Sequence, residues 1–457
     1  MLIYLSLAIF LLIGIKLFNI NSGKRITDPP IYPSLTILGP MELFKNPLDF
    51  ARKARSSLGV DVFTVWMLGK KLTFVFGKEN VLKLTDAENT ELNFEDAYQT
   101  FLKMAFGNGI LNKKTAPEQV ALLKKYLADD YVEGYLEPSY NLAKKIIGER
   151  LGDGGEVDIQ EVVLKTSFTI GARNFLGTDF LQTLKDYDYK SIFSGFEMGM
   201  QFATEYIPLV GRLKNIYDKY RTPTPFAKAV MQLAKEKEMA KQEGLLTEDH
   251  NMFENAVLRR HDQNGPSKGD DDILINLMKI IVFGSGFNGY NMMSYFLRAN
   301  VGNEELWNKL REEQRMLDEK YGEETINSKK ISEMRLLYES LMKEMFKNTF
   351  PFLLRSTEHD YQIGDYIVPK GHSVAYSPQI EHDGKEYIND QHFNLIFGKG
   401  THACPARKYA KNSMMIILSL LIKNYNFGLL KSEPMVNTRL ITFPTQPSIQ
   451  VKYEKLQ

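Results

Sequence analysis

The segment Phe397-Gly398-Lys399-Gly400-Thr401-His402-Ala403-Cys404-Pro405-Ala406 holds the only cysteine of the chain. Two glycines ahead of it permit a tight turn at positive φ. Pro405 suits the first position of a helix, and residues 406–425 read as one, with an apolar face of Met414, Met415, Ile417 and Leu418. Cys404 then stands at the positive end of a helix dipole, where free backbone N–H groups favour thiolate over thiol. A thiolate fixed by a rigid turn can serve as the axial ligand of a haem iron. With one cysteine, intramolecular disulfides and zinc sites built on two or more thiolates are excluded. The competing reading, a small buried hydrophobe, does not account for the glycines or the helix start.

A second constellation is Gly284-Ser285-Gly286-Phe287-Asn288-Gly289. It spells the Gly-x-Gly-x-x-Gly of dinucleotide sites, which needs a strand before it and an acid about twenty residues on. Residues 273–283 are too long and too rich in Leu and Ile for that strand, and Glu304 and Glu305 come too early. The segment reads better as part of a long helix, roughly 271–301. Three glycines cost about 1 kcal/mol each in a helix interior, a cost that fits a place where backbone approaches a flat cofactor.

The elements that would position these groups are mostly helical. Residues 46–58 are amphipathic, 61–67 and 72–76 read as strands, and Gly69-Lys70-Lys71 as the turn between them. From about 117 to 347 the period is that of helices. The charged run 235–272, containing Asn264-Gly265-Pro266, reads as a solvated loop. Strand-like pieces return at 361–368 and 441–453. The fold class is therefore mainly α with small β-sheets near both ends. With 57 basic and 56 acidic residues the net charge is +1, and no basic tract interleaves with aromatics, so no nucleic-acid partner is implied. Residues 2–18 are apolar except Lys16, near the short limit for a membrane span. No basic residue precedes the run. Lys16, Lys24 and Arg25 gather at its far end, which makes it an anchor with the body cytosolic rather than a cleaved signal. Prolines at 29, 30 and 33 form a stiff connector. The expected division is residues 1–22 as membrane anchor and 23–457 as one catalytic domain.

The cysteine segment resembles the haem-binding loop of cytochromes P450, Phe-Gly-x-Gly-x-(His/Arg)-x-Cys-x-Gly, at every fixed position but the last, where Ala406 stands. The resemblance implies the P450 fold, haem between the 271–301 helix and the loop, Cys404 on the iron and His402 on a propionate. Further stretches are similar to sterol 14α-demethylases: Lys45-Asn46-Pro47, Asp61-Val62-Phe63-Thr64, Leu68-Gly69-Lys70-Lys71, Asn93-Phe94-Glu95-Asp96-Ala97-Tyr98, Phe106-Gly107-Asn108-Gly109-Ile110, Glu118-Gln119 with Lys124, and a closing hairpin over 442–455. By that similarity Tyr98, Lys124 and Arg355 touch the propionates, and residues 98–110 line the substrate pocket. The implied activity is oxidation of a sterol or related lipid with O2 and NADPH-cytochrome P450 reductase, at the endoplasmic reticulum membrane with a single span in membrane lipid.

Three departures bear on activity. The family's Glu-x-x-Arg pair becomes Glu344 and Lys347, which keeps the charge and loses the bidentate fork. The stretch 379–396 is shorter than in the family and lacks an arginine that would complete that pair. In the 271–301 helix the family's His-Thr pair, which helps deliver protons to the reacting oxygen, becomes Phe287-Asn288; phenylalanine relays nothing and an amide is a poor acid. Phe287-Asn288-Gly289-Tyr290 instead resembles the Phe-Asn-x-(Trp/Tyr) of P450-like enzymes that rearrange lipid hydroperoxides without a reductase. A non-catalytic lipid-binding relative is the third reading.

Overall fold

The structure, a computed structural model, describes residues 27–34, 40–67, 70–107, 110–111, 116–183, 225–245, 251–261, 270–383, 395–432 and 447–456. The expected anchor over residues 1–22 lies outside them, as do Asn264-Gly265-Pro266 and residues 433–446.

Local chemistry fixes the first helix. Asn46 accepts from the Asp49 N–H, Pro47 takes N1, and α1 (Pro47–Leu58) stops at Gly59 with φ 65°. Leu48, Phe50, Ala51 and Ala54 bury one face. β1 (Val62–Met67) and β2 (Lys70–Val75) pair antiparallel from Val62↔Val75 to Met67↔Lys70. Lys70 and Lys71, expected in the turn, are thus strand residues. β2 runs parallel to β8 (Ser373–Tyr376), and the order β1-β2-β8-β5-β3 closes the larger sheet with β5 (Leu353–Thr357) and β3 (Leu92–Asn93). A three-stranded sheet joins β4 (Gly154–Asp158), β10 (Ile449–Lys455) and β9 (Tyr425–Ser432). The expected strand at 361–368 is a small hairpin of β6 (Tyr361–Ile363) and β7 (Tyr366–Val368).

Helices fill the rest. α2 (Phe94–Ala105) starts under an Asn93 cap, followed by α3 (Ala116–Tyr126) and α4 (Leu136–Leu151). α5 (Ile159–Leu176) is buried around most of its circumference, as a helix at the centre of a core must be. α6 (Pro225–Gln242) and α7 (Met252–His261) occupy much of the stretch expected to be a solvated loop. The correction has a cause: Lys237 bridges Asp179 at 2.7 Å and Glu254 at 2.9 Å, while Met252, Phe253 and Val257 are buried.

The long apolar segment runs as α8 (Asp270–Val282), a π turn (Phe283–Phe287) and α9 (Asn288–Asn300). An 18-residue window within residues 271–300 has a mean hydropathy of 1.3, enough for a membrane span by length and composition, yet most of that window is buried inside the protein. α10 (Glu304–Tyr321), α11 (Arg335–Asn348), α12 (Pro378–His382) and α13 (Arg407–Asn424) complete the body. On α13 the expected apolar residues Met414, Met415, Ile417 and Leu418 are all in the core. Pro405 sits in a turn ahead of that helix rather than at its first position.

Candidate active site: a cysteine loop facing a π turn

The cysteine loop is built as its glycines require. Gly398 and Gly400 have φ of 68° and 67°. A Cβ on Gly400 would fall 2.1 Å from the Thr85 carbonyl oxygen, so the loop lies directly on backbone there. The Cys404 N–H donates to the Phe397 carbonyl at 2.6 Å, closing the turn. Ala406 has φ −89° and ψ 12°, a conformation any residue adopts, so alanine replaces the family's glycine without backbone strain.

The Cys404 thiol is exposed. Even so, enough protein surrounds it that desolvation raises its pKa, against the pull of the Ala406 N–H and the Arg407 cation. The helix start therefore lowers the thiol's pKa as expected but does not by itself make a thiolate. A bound metal cation deprotonates a coordinating thiol outright.

Three of the four residues expected near the propionates converge on one ring, Phe94. His402 stacks on it with centroids 5.1 Å apart, Tyr98 lies 4.6 Å from it, and the Arg355 guanidinium sits 5.3 Å above it. His402 Nε2 is 3.1 Å from Asn89 Oδ1. Burial, then the Arg355 charge, lower its pKa to about 4, so the imidazole is neutral at physiological pH. The Tyr98 hydroxyl accepts from the Leu354 N–H at 3.1 Å, and burial raises its pKa to about 12. Arg355 is 4% exposed and donates to the Leu354 carbonyl at 2.7 Å. Among the described residues it meets no carboxylate. Lys124, the fourth, is exposed on α3 and makes no hydrogen bond or ion pair with the described residues.

The long apolar helix opens into a π turn at Phe283–Phe287, where an ordinary α-helix was expected. The Ser167 hydroxyl donates to the Gly286 carbonyl at 3.0 Å and Asn291 Nδ2 to the Phe287 carbonyl at 2.8 Å, satisfying groups that the wider turn frees. Gly284 is exposed in the middle of this otherwise buried helix, and an added Cβ there would meet no described atom within 4 Å. Asn288, one turn on, is half-buried, whereas Phe287 is buried and stacks on Phe283 at 4.8 Å.

Aromatic rings connect the two sides. From His402 and Phe94 the contacts pass through Tyr98, Phe101 and Phe106 to Phe283, with centroids 6.4, 6.5 and 5.2 Å apart after Tyr98. Phe94, Phe106 and Phe283 carry much of this wall. Sequence reasoning placed Phe106 in the stretch lining the substrate pocket and Phe94 within a motif without a role, although the four-residue spacing of Phe94 and Tyr98, and of Phe283 and Phe287, was a visible sign that each pair shares a helix face.

Behind the loop, Lys347 Nζ donates to Glu344 Oε1 at 2.8 Å, with Glu344 buried and Lys347 largely exposed. The shortened stretch before the loop begins as α12, whose His382 ring packs edge-on against Phe346 at 4.5 Å. The pair is thus formed with one contact where arginine could make two.

An exposed cysteine on a glycine turn, a buried cation that meets no carboxylate among the described residues, and an opened turn in the long apolar helix fit a haem-thiolate site. The comparisons agree. The cytochrome P450 family model matches residues 29–452, and the chain belongs to the cytochrome P450 family. It is 23% identical to the sterol 14-demethylase of Arabidopsis thaliana, over 96% of this chain and 94% of that one. It is likewise 23% identical to the human lanosterol 14-alpha demethylase, over 95% and 88%. Among solved structures it resembles a retinoic acid-bound cyanobacterial cytochrome with a TM-score of 0.71 at 18% identity, over 94% of this chain and all of that one.

The cofactor of this family is haem with a thiolate-ligated iron, and the donor set of this chain fits it. Cys404 is a reachable thiol, Arg355 a buried cation suited to a carboxylate, and Gly284 opens the opposite face.

Proposed function

We propose that this cytochrome P450 is a monooxygenase acting on a sterol or related lipid. Electrons come from NADPH-cytochrome P450 reductase, and residues 1–22 hold the enzyme to the endoplasmic reticulum membrane. Similarity to sterol 14-demethylases along nearly the whole chain carries the reading, and the aromatic wall from Phe94 to Phe287 supports it as a surface for a large apolar ligand. Haem supplies the one-electron and oxygen chemistry when bound. Cys404 holds the metal and gives up its thiol proton on doing so. Arg355 and Tyr98 orient the propionates, with His402 as a neutral partner. Phe101, Phe106 and Phe283 exclude water and position the lipid.

The test is spectroscopic. Purified full-length protein, reduced and exposed to carbon monoxide, should show the red-shifted Soret band of thiolate ligation. Sterols should shift the ferric band one way by displacing water, and azoles the other way by ligating iron. A haem-loaded protein indifferent to both would defeat the sterol assignment.

Asn288 favours a second reading. Its neutral amide lies on the same flank as the open Gly284, while Phe287 is turned into the core. An amide there can hold a lipid hydroperoxide by hydrogen bonds without supplying a proton. Rearrangement of the peroxide needs no external electrons, so turnover without reductase identifies it.

A further inference from the structure

Three residues of the cysteine loop rest on one short segment. Lys399 Nζ pairs with Asp86 at 2.9 Å, the Gly400 backbone lies against the Thr85 carbonyl, and His402 Nε2 is 3.1 Å from Asn89 Oδ1. Thr85 and Asp86 end the helix Lys78–Asp86, and Asn89 stands in the turn that follows it. That turn is itself tied down, because the Glu91 and Leu92 N–H groups both donate to the Glu88 carbonyl at 2.9 Å. Of the three contacts the one at Asn89 is the directional one. An ion pair on an exposed aspartate adds little, and Gly400 offers only a close approach.

The Asn89 amide has a fixed orientation. The Phe94 N–H, which can only donate, reaches Oδ1 at 3.0 Å, and the Glu95 carboxylate Oε2, which can only accept, receives Nδ2 at 2.7 Å. Turning the amide over would set a donor against the N–H and an acceptor against the carboxylate. Oδ1 therefore faces His402, so Nε2 must carry a hydrogen, and in the neutral ring Nδ1 carries none. A histidine held this way has no hydrogen left to donate to an ionised carboxylate. Arg355 and the hydroxyl hydrogen of Tyr98, whose oxygen accepts the Leu354 N–H, remain as donors.

We propose that Asn89, oriented by Glu95, is a positioning residue of the haem pocket: it holds His402 as an Nε2–H donor stacked on Phe94 and so seats the loop that presents Cys404. His402 then retains haem by fastening the loop, not by donating to a propionate. The tautomer stands on the hydrogen bonds alone; the effect on haem rests on the haem-thiolate chemistry of the family.

Two-bond nitrogen–proton correlation spectra of the full chain, labelled at its seven histidines and recorded on the diamagnetic reduced carbonyl complex, read the tautomer, with His402→Phe identifying the signals. His402 should be protonated at Nε2 and bare at Nδ1; the reverse overturns the proposal. Haem transfer to apomyoglobin reads the fastening. Asn89→Leu and His402→Phe, which keeps the stack on Phe94 but cannot bond Asn89, should each speed haem loss about fivefold, the weight of one hydrogen bond. Both remove the same contact, so the two together should be no faster than the faster one. Unchanged rates, or effects that multiply, overturn the fastening. Asn89→Asp keeps an acceptor for His402 but sets two carboxylates together, so it should lose haem faster than wild type. Glu95→Gln added to it returns an amide donor and should restore the wild-type rate. If Asn89→Asp loses haem at the wild-type rate, or Glu95→Gln fails to rescue it, the assigned amide orientation is overturned, even where Asn89→Leu fails to fold. A chain that binds no haem fails the haem-thiolate chemistry, and its histidine spectra still decide the tautomer.

Discussion

Gly171 and Ser285 approach so closely that a Cβ on the glycine would lie 2.3 Å from the serine hydroxyl oxygen. α5 thus has no room for a side chain where it meets the π turn, and the Ser167 hydroxyl one turn earlier bonds the Gly286 carbonyl. Packing from another helix therefore holds the widened turn in place.

Gly171→Ala should accordingly push the π turn toward the cofactor side. Overpacking of this kind costs about 1–3 kcal/mol, and urea unfolding should register it together with reduced haem content. Gly284→Ala is the contrasting change. Its methyl meets nothing among the described residues, so helix propensity should stabilise the cofactor-free protein by up to about 1 kcal/mol while haem loading falls.

The cysteine loop was legible because its information is local: two glycines at positive φ, a cysteine and a helix start within ten residues. The apolar face of α13 was legible from its period. The π turn was not, since three glycines only permit it and Gly171, on α5, is what admits it. The charged stretch 235–272 was misread for a similar reason. Lys237 finds Asp179 58 residues away, and composition alone cannot separate a solvated lysine from one bridging two helices. Lys124, given a propionate role by similarity to the family alone, is exposed on α3.

Cys404→Ser should abolish the thiolate Soret band of the reduced carbonyl complex while the apoprotein stays folded, because the side chain is exposed and supports little packing. Gly400→Ala should behave differently. Its Cβ would run into the Thr85 carbonyl at 2.1 Å, so the loop itself should be lost, with protease sensitivity appearing near residue 400. Desolvation holds the Cys404 thiol pKa above its ordinary value, so haem loading at neutral pH should release a proton, measurable in weakly buffered solution. The Cys404→Ser variant should release none.

His372 makes the fold sensitive to acid. It is 6% exposed, its Nδ1 lies 3.0 Å from Thr73 Oγ1, and burial, helped by the Lys71 charge, lowers its pKa to about 4. The folded state therefore binds the proton less readily than the unfolded chain, whose histidine titrates near 6.5. The stabilisation is present above pH 6.5 and is lost as pH falls toward 4, by on the order of 3 kcal/mol over that window. Urea midpoints at pH 7, 5.5 and 4.5 should trace the loss, and His372→Gln should flatten part of it. An equally steep profile in the variant would place the acid sensitivity elsewhere.

Phe287 and Asn288 separate the two catalytic readings. With Phe287 stacked on Phe283 and Asn288 on the open flank, neither side chain is an acid, and general acid assistance is typically worth roughly 10²–10⁴-fold in rate. A monooxygenase with this pair should turn over slowly, losing reducing equivalents as peroxide. Phe287→His with Asn288→Thr should then raise product per NADPH. The rearrangement reading predicts the opposite: fast turnover of lipid hydroperoxide by the wild type without reductase, slowed by Asn288→Thr. Product, peroxide and NADPH measured together on the same preparations distinguish the two. Tight coupling in the wild type that neither substitution moves would show that these two positions do not govern proton supply.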